Sequence, residues 1–222
     1  MIRTIWLSFR IDEFWFLLSI KRMFKIKYVN KIFVSTDSKK IAKICESEGI
    51  DIPILRPKKL AQDNTPSISV INHVLLFLKK NENYEPDIVL LLQPTSPFRT
   101  SKLIDRSIQL LKKSKTDSVI TVKETESTNN SYYFKNRILI PYQKISENNY
   151  VKNNSKLFFP TGAVYAFWND TLKNFNTIYG KKILPIFSKF PETIDIDNIS
   201  DLFLAEMTML HWKKFNQKYN NS

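Results

Sequence analysis

Residues 87–100, with the sequence DIVLLLQPTSPFRT, decide the fold class. The apolar run at 88–92 is bounded by turn residues, which is typical of a β-strand buried on both faces of a parallel sheet. The loop 93–100 then carries an amide, hydroxyls and a guanidinium, and the apolar residues within 103–111 recur at helical spacing. In open α/β sheets ligands bind beyond the carboxyl ends of the strands. The stretch therefore predicts a strand–loop–helix unit whose loop binds a ligand.

Two prolines stiffen the loop after this strand. Pro94 and Pro97 fix their own φ angles and restrict the conformations of the residues that precede them. Gln93 and Ser96 are therefore expected to be held extended before any ligand binds. The loop is predicted to be a pre-organised polar surface at the edge of the sheet.

The rest of the chain alternates short apolar runs with segments of helical periodicity. This alternation predicts an α/β fold of three layers, in which helices cover both faces of a mostly parallel central sheet. The length of 222 residues fits a single domain. Strands are expected at residues 32–34, 52–55, 118–122 and 194–197 and after a loop within 160–167, and helices at 39–47, 67–79, after loop 93–100 and from the predicted N-cap Ser200.

Residues 124–159 differ in character from the rest of the chain. They are rich in Asn, Ser, Tyr and Lys and show no sustained periodicity. A disordered insert is one interpretation, but the Tyr, Phe and Ile content favours a segment that packs. We expect a small protruding arm or hairpin that makes contacts between subunits.

The formal charge of +13 and the pI near 9.7 are compatible with a nucleic acid, an anionic membrane surface or an acidic substrate. The lysines alternate with apolar residues, as on solvated faces, and no nucleic-acid-binding motif accompanies them. We therefore predict neither a nucleic-acid nor a membrane partner. No apolar run approaches the roughly 20 residues of a transmembrane helix, and the single cysteine, Cys45, excludes an intrachain disulfide. A cytoplasmic location is the simplest expectation.

Asp195 and Asp197 form a candidate metal site. In an extended segment side chains alternate between faces, so these two carboxylates are expected to point the same way. Mg²⁺ is usually held by one or two carboxylates together with waters and substrate phosphate oxygens. An edge strand with two solvated aspartates explains the pattern equally well, so the pair alone does not decide.

Three further side chains are candidates for ligand binding. Arg56 and Arg99 each lie beside a proline-stiffened turn, which favours anchored guanidinium groups able to bind phosphate, carboxylate or a base edge. A surface arginine with a packed stem is the alternative for either one. Ser67, at a predicted helix start, is either a functional hydroxyl or a cap. His73 and His211 are both expected to be structural.

Six short motifs in a fixed order carry a family resemblance. They are VSTD at 34–37, RP at 56–57 with LAQD at 60–63, TPS at 65–67, LQPTSP at 92–97 with RT at 99–100, TGAVY at 161–165 and IDID at 194–197. Taken together, over residues 28–209, they resemble the acylneuraminate cytidylyltransferases, which are the synthetases of CMP-sialic acid and of related CMP-nonulosonic acids.

The resemblance implies a nucleotide-diphospho-sugar transferase type of fold and a reaction that transfers CMP from CTP to a nonulosonic acid. The acid would be of the sialic, legionaminic or pseudaminic type, and pyrophosphate would be released. The octulosonate cytidylyltransferases look less similar around loop 93–100, which favours a nine-carbon acid. From the character of residues 124–159 we also expect a homodimer that forms through this arm.

The resemblance also implies roles for individual residues. Asp195 and Asp197 would hold Mg²⁺ and, with Arg99, take part in catalysis. Arg56 and Ser67 would contact the cytidine. The residues expected to line the sugar pocket are Gln93, Thr95, Ser96, Arg99 and Thr161.

Two features depart from the family pattern. The family begins with a strand and a basic, Gly-containing loop that wraps the CTP phosphates, whereas residues 1–26 are aromatic-rich and the first glycine is Gly49. No P-loop or Gly-x-Gly-x-x-Gly turn is therefore present. We treat residues 1–27 as a divergent N-terminal segment and expect a helix at 14–24. The arginine-bearing segment that relatives usually carry before the GAVY residues is replaced by KNNSK at 152–156, and Thr161 stands where many relatives have Asn.

These departures keep a second hypothesis open. The chain could be a catalytically impaired or inactive homologue, with a truncated or frame-disrupted N-terminus, that retains only the fold and the sugar pocket. A basic nucleic-acid binder is a third hypothesis, and it predicts salt-sensitive binding to arbitrary DNA or RNA.

Overall fold

A computed structural model describes residues 2–7, 15, 19, 26–50, 52–125, 132–141 and 156–219 of the chain. Its strands are β1 (Ile2–Leu7), β2 (Lys31–Ser35), β3 (Ile88–Leu92), β4 (Ser118–Thr125), β5 (Tyr132–Lys135), β6 (Ile138–Pro141), β7 (Leu157–Trp168) and β8 (Ile183–Phe187). Its α-helices are α1 (Lys39–Ser47), α2 (Ser67–Glu82), α3 (Ser101–Ser114), α4 (Asn169–Phe175) and α5 (Ile199–Tyr219), and a 3₁₀ turn covers Lys58–Leu60. Within these ranges, no helix has the length and apolar character needed to cross a bilayer.

The central sheet has the strand order β2-β1-β3-β7-β4-β8. β1 is parallel to both of its neighbours and β4 is parallel to β8, whereas β7 runs antiparallel to β3 and to β4. The predicted mostly parallel sheet is confirmed, with β7 as its reversed strand. Because β7 runs opposite to β3 and β4, the first half of β7 lies at the edge of the sheet where β3 and β4 have their carboxyl ends.

The side chains of β3 separate two cores, one on each face of the sheet. Leu90 and Leu92 belong to a buried cluster with Cys45 of α1 and Ile104 of α3. Val89 lies in a second cluster, on the opposite face, with residues of α2. Alternate residues of a strand point to opposite faces, so a strand that is apolar throughout must be covered on both sides. The three-layer prediction is confirmed.

A strand before residue 32 is not expected from the sequence, and that omission is wrong. β1 (Ile2–Leu7) lies inside the sheet, between β2 and β3. Arg3 and Thr4 interrupt its apolar pattern, so local periodicity does not reveal it. Its place depends on pairing with two strands that follow much later in the chain. The helix predicted at 14–24 lies outside the described residues except for Trp15 and Ser19, which are helical.

Two predicted strands are not formed. Residues 52–55 are irregular, because Pro53 cannot donate to a strand ladder. Residues 194–197 are also irregular, although the amide of Ile196 donates to the carbonyl of Thr95 at 2.8 Å. A single cross-chain bond of this kind does not make a ladder. The predicted alternation nevertheless holds, because Ile194 packs into an apolar cluster whereas Asp195 lies at the site described below.

Two predicted boundaries also change. Residues 160–167, predicted as a loop followed by a strand, all lie within β7, and the pairing of β7 with β4 is interrupted there by a bulge. Ser200 is not the cap of α5, because the Oδ1 atom of Asn198 accepts from the amides of Ser200 and Asp201. The Oδ2 atom of Asp201 accepts in return from the Asn198 amide, at 3.1 Å. This reciprocal pair is a capping box.

The segment predicted to be an arm contains a β-hairpin. β5 and β6 pair antiparallel across a turn in which Asn136 and Arg137 have φ angles of 50° and 65°. Two successive positive φ angles are typical of a type I′ turn. β5 also pairs with the start of β7. The hairpin is confirmed and a disordered insert is wrong for residues 132–141, whereas residues 142–155 lie outside the described part of the chain.

Candidate active site

The predicted ligand loop lies at the carboxyl end of β3, and two further segments pack against it. These are the bulge of β7 around Gly162 and the segment 188–198 that follows β8. The Gln93 amide donates to the carbonyl of Gly162 at 3.3 Å, and the Ile196 amide donates to the carbonyl of Thr95 at 2.8 Å. Three segments that are distant in the sequence therefore form one surface at this edge of the sheet.

Arg99 organises this surface from behind. Its side chain is 2% exposed, and it donates from Nε to the carbonyl of Ala163 and from an η-nitrogen to the carbonyl of Gln93. A guanidinium that binds two carbonyls in different segments ties those segments together. The structure thus gives Arg99 a positioning role, and its predicted contact with substrate stays a prediction.

Three side-chain oxygens converge around Gly162. A Cβ atom on this residue would lie 3.1 Å from the Oγ atom of Ser96, 3.2 Å from the Oδ2 atom of Asp195, and closer still to the Oε1 atom of Gln93. Gly162 also has a φ of +71°, which a residue with a side chain rarely adopts. Glycine is therefore required here twice, for its backbone conformation and for the space that the three oxygens occupy.

Asp195 is the carboxylate of this group, and its pKa is raised. Burial raises its pKa, and the nearby negative charge of Asp197 raises it further. Hydrogen bonds from Thr95 and Ser96 and the positive charge of Arg99 act in the opposite direction. The Ser96 hydroxyl lies 3.4 Å from the Oδ1 atom of Asp195 and 3.0 Å from the carbonyl of Thr161, and it has one proton to donate.

The donor atoms at this surface suit a hard cation. Asp195 is half-buried and Asp197 is exposed, and their charges lie close enough to interact. In the part of the chain that the structure describes, no group of three or more His, Cys, Asp or Glu side chains is placed to hold a metal. Mg²⁺ needs only one or two carboxylates when phosphate oxygens and waters complete its shell. The residues present therefore fit Mg²⁺ bound together with a phosphate-bearing ligand.

Arg56 lies at the carboxyl end of β2. Its amide donates to the carbonyl of Thr36 at 2.8 Å, and its guanidinium is 3.5 Å from the Oδ1 atom of Asp37. Burial lowers the pKa of Arg56, and the charge of Asp37 opposes that shift. Arg56 is 6% exposed, so the predicted anchored guanidinium is confirmed in geometry. Its contact with a nucleotide stays a prediction.

Ser67 is the first residue of α2. The residue before it, Pro66, occupies the cap position, and no side chain makes a capping hydrogen bond. The alternative that Ser67 serves as the cap is therefore wrong. Its half-buried hydroxyl stands at a helix N-terminus, where amide N–H groups favour a negatively polarised partner.

Thr161 lies at the site, but its hydroxyl is engaged within the sheet. It is 1% exposed and donates to the Oγ1 atom of Thr121 at 2.8 Å. Thr121 in turn accepts from the amide of Val164 at 2.9 Å. These bonds hold the bulge in place. The sugar contact expected of Thr161 stays a prediction, and its observed contacts are structural.

Two residues at this surface, Gly162 and Tyr165, carry no predicted role although both lie in the TGAVY motif. Gly162 is one of three glycines in the chain, and that scarcity is the signal that could have singled it out. Tyr165 is 8% exposed, it pairs with Ile120 of β4 directly after the bulge, and Asp195 is close enough to raise its pKa. The contacts of Tyr165 depend on the bulge, which the sequence does not reveal.

The fold and this surface define the class of protein. It is an α/β protein with a candidate ligand site at the carboxyl edge of a mostly parallel sheet, and this site carries oxygen donors suited to a metal-bound phosphate. The solved structure of CMP:2-keto-3-deoxy-manno-octonic acid synthetase complexed with CTP has the same fold, with a TM-score of 0.70 and 12% sequence identity over 94% of this chain and 98% of that one. The predicted nucleotide-diphospho-sugar transferase type of fold is confirmed.

The sequence comparisons identify the family. The family model described as "Cytidylyltransferase" matches residues 18–212, and the chain belongs to that family. N-acylneuraminate cytidylyltransferase of Escherichia coli O18:K1:H7 is 28% identical over 207 residues, which are 90% of this chain and 46% of that protein. CMP-N,N'-diacetyllegionaminic acid synthase of Legionella pneumophila is 28% identical over 182 residues, which are 81% of this chain and 78% of that protein.

Proposed function

We propose that the chain transfers CMP from CTP to a nonulosonic acid and releases pyrophosphate. The observation that carries this proposal is the convergence of oxygens from Gln93, Ser96 and Asp195 around Gly162, at the ligand edge of a cytidylyltransferase fold. Such a set can bind the hydroxyls of a sugar acid on one side and a metal-bound phosphate on the other.

In this reaction the anomeric hydroxyl oxygen of the acid attacks the α-phosphorus of CTP. The new oxygen–phosphorus bond forms, the bond from that phosphorus to the pyrophosphate oxygen breaks, and the hydroxyl proton passes to solvent. Such transfers are accelerated by positioning the two reactants and by stabilising the developing phosphate charge. The protein therefore has to hold two anionic substrates side by side.

Two groups of residues would hold them. The acceptor wall consists of loop 93–100, the Gly162 bulge and Asp195, and it would bind the sugar acid through Gln93, Thr95 and Ser96. The nucleotide wall consists of Asp37, Arg56 and Ser67, and it would bind the cytidine. Arg99 would act on the acid by holding the acceptor wall in shape.

Mg²⁺ is the proposed cofactor. Asp195 and Asp197 would hold it, with phosphate oxygens and waters in the remaining positions. When bound, Mg²⁺ would neutralise negative charge on the transferring phosphate. The raised pKa of Asp195 supports this assignment, because burial and a neighbouring carboxylate both disfavour its charged form until a cation is present.

The acceptor is proposed to be a nine-carbon acid of the sialic, legionaminic or pseudaminic type. Its support is the activity named for two relatives by sequence, an N-acylneuraminate cytidylyltransferase and a CMP-N,N'-diacetyllegionaminic acid synthase. A cytoplasmic location follows from this proposal, because CTP is a cytoplasmic substrate. A homodimer that forms through residues 124–159 is part of the same proposal, and the hairpin within that segment is the feature that supports it.

The test is pyrophosphate release from CTP and Mg²⁺ with a panel of nonulosonic acids and an octulosonic acid. The proposal expects release with at least one nine-carbon acid and none when the acid or Mg²⁺ is omitted. Release with the octulosonic acid alone would correct the substrate. No release with any acid, from protein that is folded by circular dichroism, would favour the inactive homologue. The same preparation, mixed with DNA and RNA at low salt, tests the nucleic-acid hypothesis.

A further inference from the structure

Three tyrosines from three segments form an aromatic cluster behind the acceptor wall, which we call the tyrosine cluster. They are Tyr132 on β5, Tyr165 on β7 and Tyr179 on the turn that follows α4. The ring centroids of Tyr132 and Tyr179 are 6.5 Å apart, and those of Tyr165 and Tyr179 are 6.2 Å apart with planes at 75°. Both spacings lie in the range of attractive aromatic pairs. Tyr179 therefore links the hairpin to β7.

One end of this tyrosine cluster reaches the site. Tyr165 is 8% exposed, and it is the residue at which β7 resumes its regular pairing with Ile120 of β4 after the bulge around Gly162. That glycine forms the bulge around which the oxygens of Ser96 and Asp195 converge. A change in the orientation of Tyr165 would therefore shift the bulge and the spacing of those oxygens.

The other end of the tyrosine cluster belongs to the hairpin. Tyr132 is the first residue of β5, and that strand pairs with the start of β7 beyond the bulge. The turn that carries Tyr179 is anchored separately, because the Tyr179 amide donates to the Oγ1 atom of Thr177 at 3.2 Å and its carbonyl accepts from the Ser118 hydroxyl. Because these bonds fix the backbone of Tyr179, its ring can restrict the orientation of the Tyr165 ring that it contacts.

We propose that Tyr179 is a positioning residue for the site, which acts by holding Tyr165 against the Gly162 bulge, and that Tyr132 completes this support from the hairpin. Any contact that moves the hairpin would then alter the acceptor wall without touching the substrate. The kinetic part of this inference rests on the proposed function, whereas its structural part does not.

The hairpin offers a matched control for this inference. Phe134 lies two residues from Tyr132 on the same strand, but its ring packs edge-to-face on Phe187 at 5.8 Å. Phe134→Leu removes a hairpin aromatic outside the tyrosine cluster. Tyr179→Leu removes the central ring of the tyrosine cluster, and Tyr179→Phe keeps the ring while it removes the hydroxyl.

Hydrogen–deuterium exchange of peptides within residues 157–168 is the first readout. Tyr179→Leu is expected to speed exchange around the bulge by about tenfold through local opening, whereas Tyr179→Phe and Phe134→Leu leave it unchanged. In the pyrophosphate assay, Tyr179→Leu is expected to lower kcat by about tenfold through misplacement of the acceptor. Its KM for CTP should stay within twofold of the wild-type value, since the nucleotide wall is untouched.

Three results would overturn the inference. The first is bulge exchange and kcat unaltered by Tyr179→Leu. The second is acceleration of bulge exchange by Phe134→Leu that equals the acceleration by Tyr179→Leu, because the effect would then come from general docking of the hairpin. The third applies if Tyr179→Leu does not fold, in which case Tyr132→Leu is measured instead and unaltered exchange in it contradicts the proposal. A wild-type protein without activity would refute the proposed function, and the exchange comparison would still decide the role of Tyr179.

Discussion

The acceptor wall and the nucleotide wall are built in different ways. In the acceptor wall, loop 93–100 is bonded to the β7 bulge and to segment 188–198, and the buried Arg99 joins two of these segments from behind. In the nucleotide wall, Arg56 pairs with Asp37 at 3.5 Å, and the Asp37 side chain is 45% exposed. One wall is fixed from several directions, whereas the other contains an ion pair that is open to solvent on one side.

This difference separates two tasks. A group that must attack a phosphorus atom has to be held within a fraction of an ångström, because small misplacements reduce the rate strongly. A nucleotide base tolerates more adjustment, since binding energy accumulates over many contacts. We therefore expect changes in the acceptor wall to lower kcat and changes in the nucleotide wall to raise the KM for CTP.

Asp195→Asn is expected to have the largest effect on catalysis. Loss of the carboxylate should lower kcat by about 100-fold or more, because it would remove one of the two proposed ligands of the Mg²⁺ that neutralises the transferring phosphate. Steady-state pyrophosphate release measures this loss, and Asp170→Asn, an exposed carboxylate on α4, is the control variant. Activity within threefold of wild type would contradict the assignment of Asp195.

The same variant makes a prediction about stability. Because the pKa of Asp195 is raised in the folded state, the folded protein binds this proton more tightly than the unfolded chain does. The carboxylate therefore destabilises the fold at neutral pH, and that cost disappears as the pH falls below the ordinary aspartate range. Asp195→Asn should have a higher Tm than wild type at pH 7 without ligand and an equal Tm at about pH 3. A lower Tm at pH 7 would contradict the sign of this shift.

Gly162→Ala is expected to damage both the fold and the reaction. The substitution places a methyl group among three oxygens at a φ of +71°, so it should lower the free energy of unfolding by about 1–3 kcal/mol. Urea denaturation measures this change. Gly49→Ala is a matched control, because Gly49 has a φ of +73° but a Cβ atom added there would meet no other atom within 4 Å. Equal losses in the two variants would show that crowding at the bulge contributes nothing.

Arg56→Ala is expected to act on binding rather than on turnover. Removal of a buried guanidinium from the nucleotide wall should raise the KM for CTP by about tenfold, as expected for loss of a charge-assisted contact. kcat should remain within twofold of wild type. Lys173→Ala serves as the control, because Lys173 is a half-exposed cation that pairs with Glu85 at the opposite edge of the sheet, and such a pair contributes about 0–1 kcal/mol. A fall in kcat without a change in KM would reverse the roles of the two walls.

Local sequence patterns account for a large part of this molecule, and long-range contacts account for the remainder. β3 and loop 93–100 can be predicted because an apolar run, two prolines and a helical repeat adjoin one another in the chain. β1 cannot, because its place is defined by pairing with strands that lie far along the sequence. Residues 194–197 likewise follow an irregular path, because their amides bond to Pro191, Thr95 and Asp201 and not to one partner strand.

The site shows the same division. Gln93, Ser96 and Asp195 can be named from the sequence, but their convergence on Gly162 depends on a β-bulge that no local pattern reveals. The sequence favours a ligand-binding role for Arg99 because guanidinium groups bind anions. In the structure two of its donors join two carbonyls of the acceptor wall, a positioning role that the residue type does not reveal. The type of a residue therefore predicts which hydrogen bonds or charges it can offer. Tertiary packing decides which partner atoms those donors and charges contact.

The central claim is that Gln93 and Ser96 act as parts of one preformed acceptor wall. A double-mutant cycle of Gln93→Ala and Ser96→Ala, measured as kcat/KM for the acid at saturating CTP and Mg²⁺, tests it most directly. If the two side chains act as one unit, the double variant should be about as active as the weaker single variant. If the two losses multiply instead, the side chains act independently and the account of a single preformed wall is wrong.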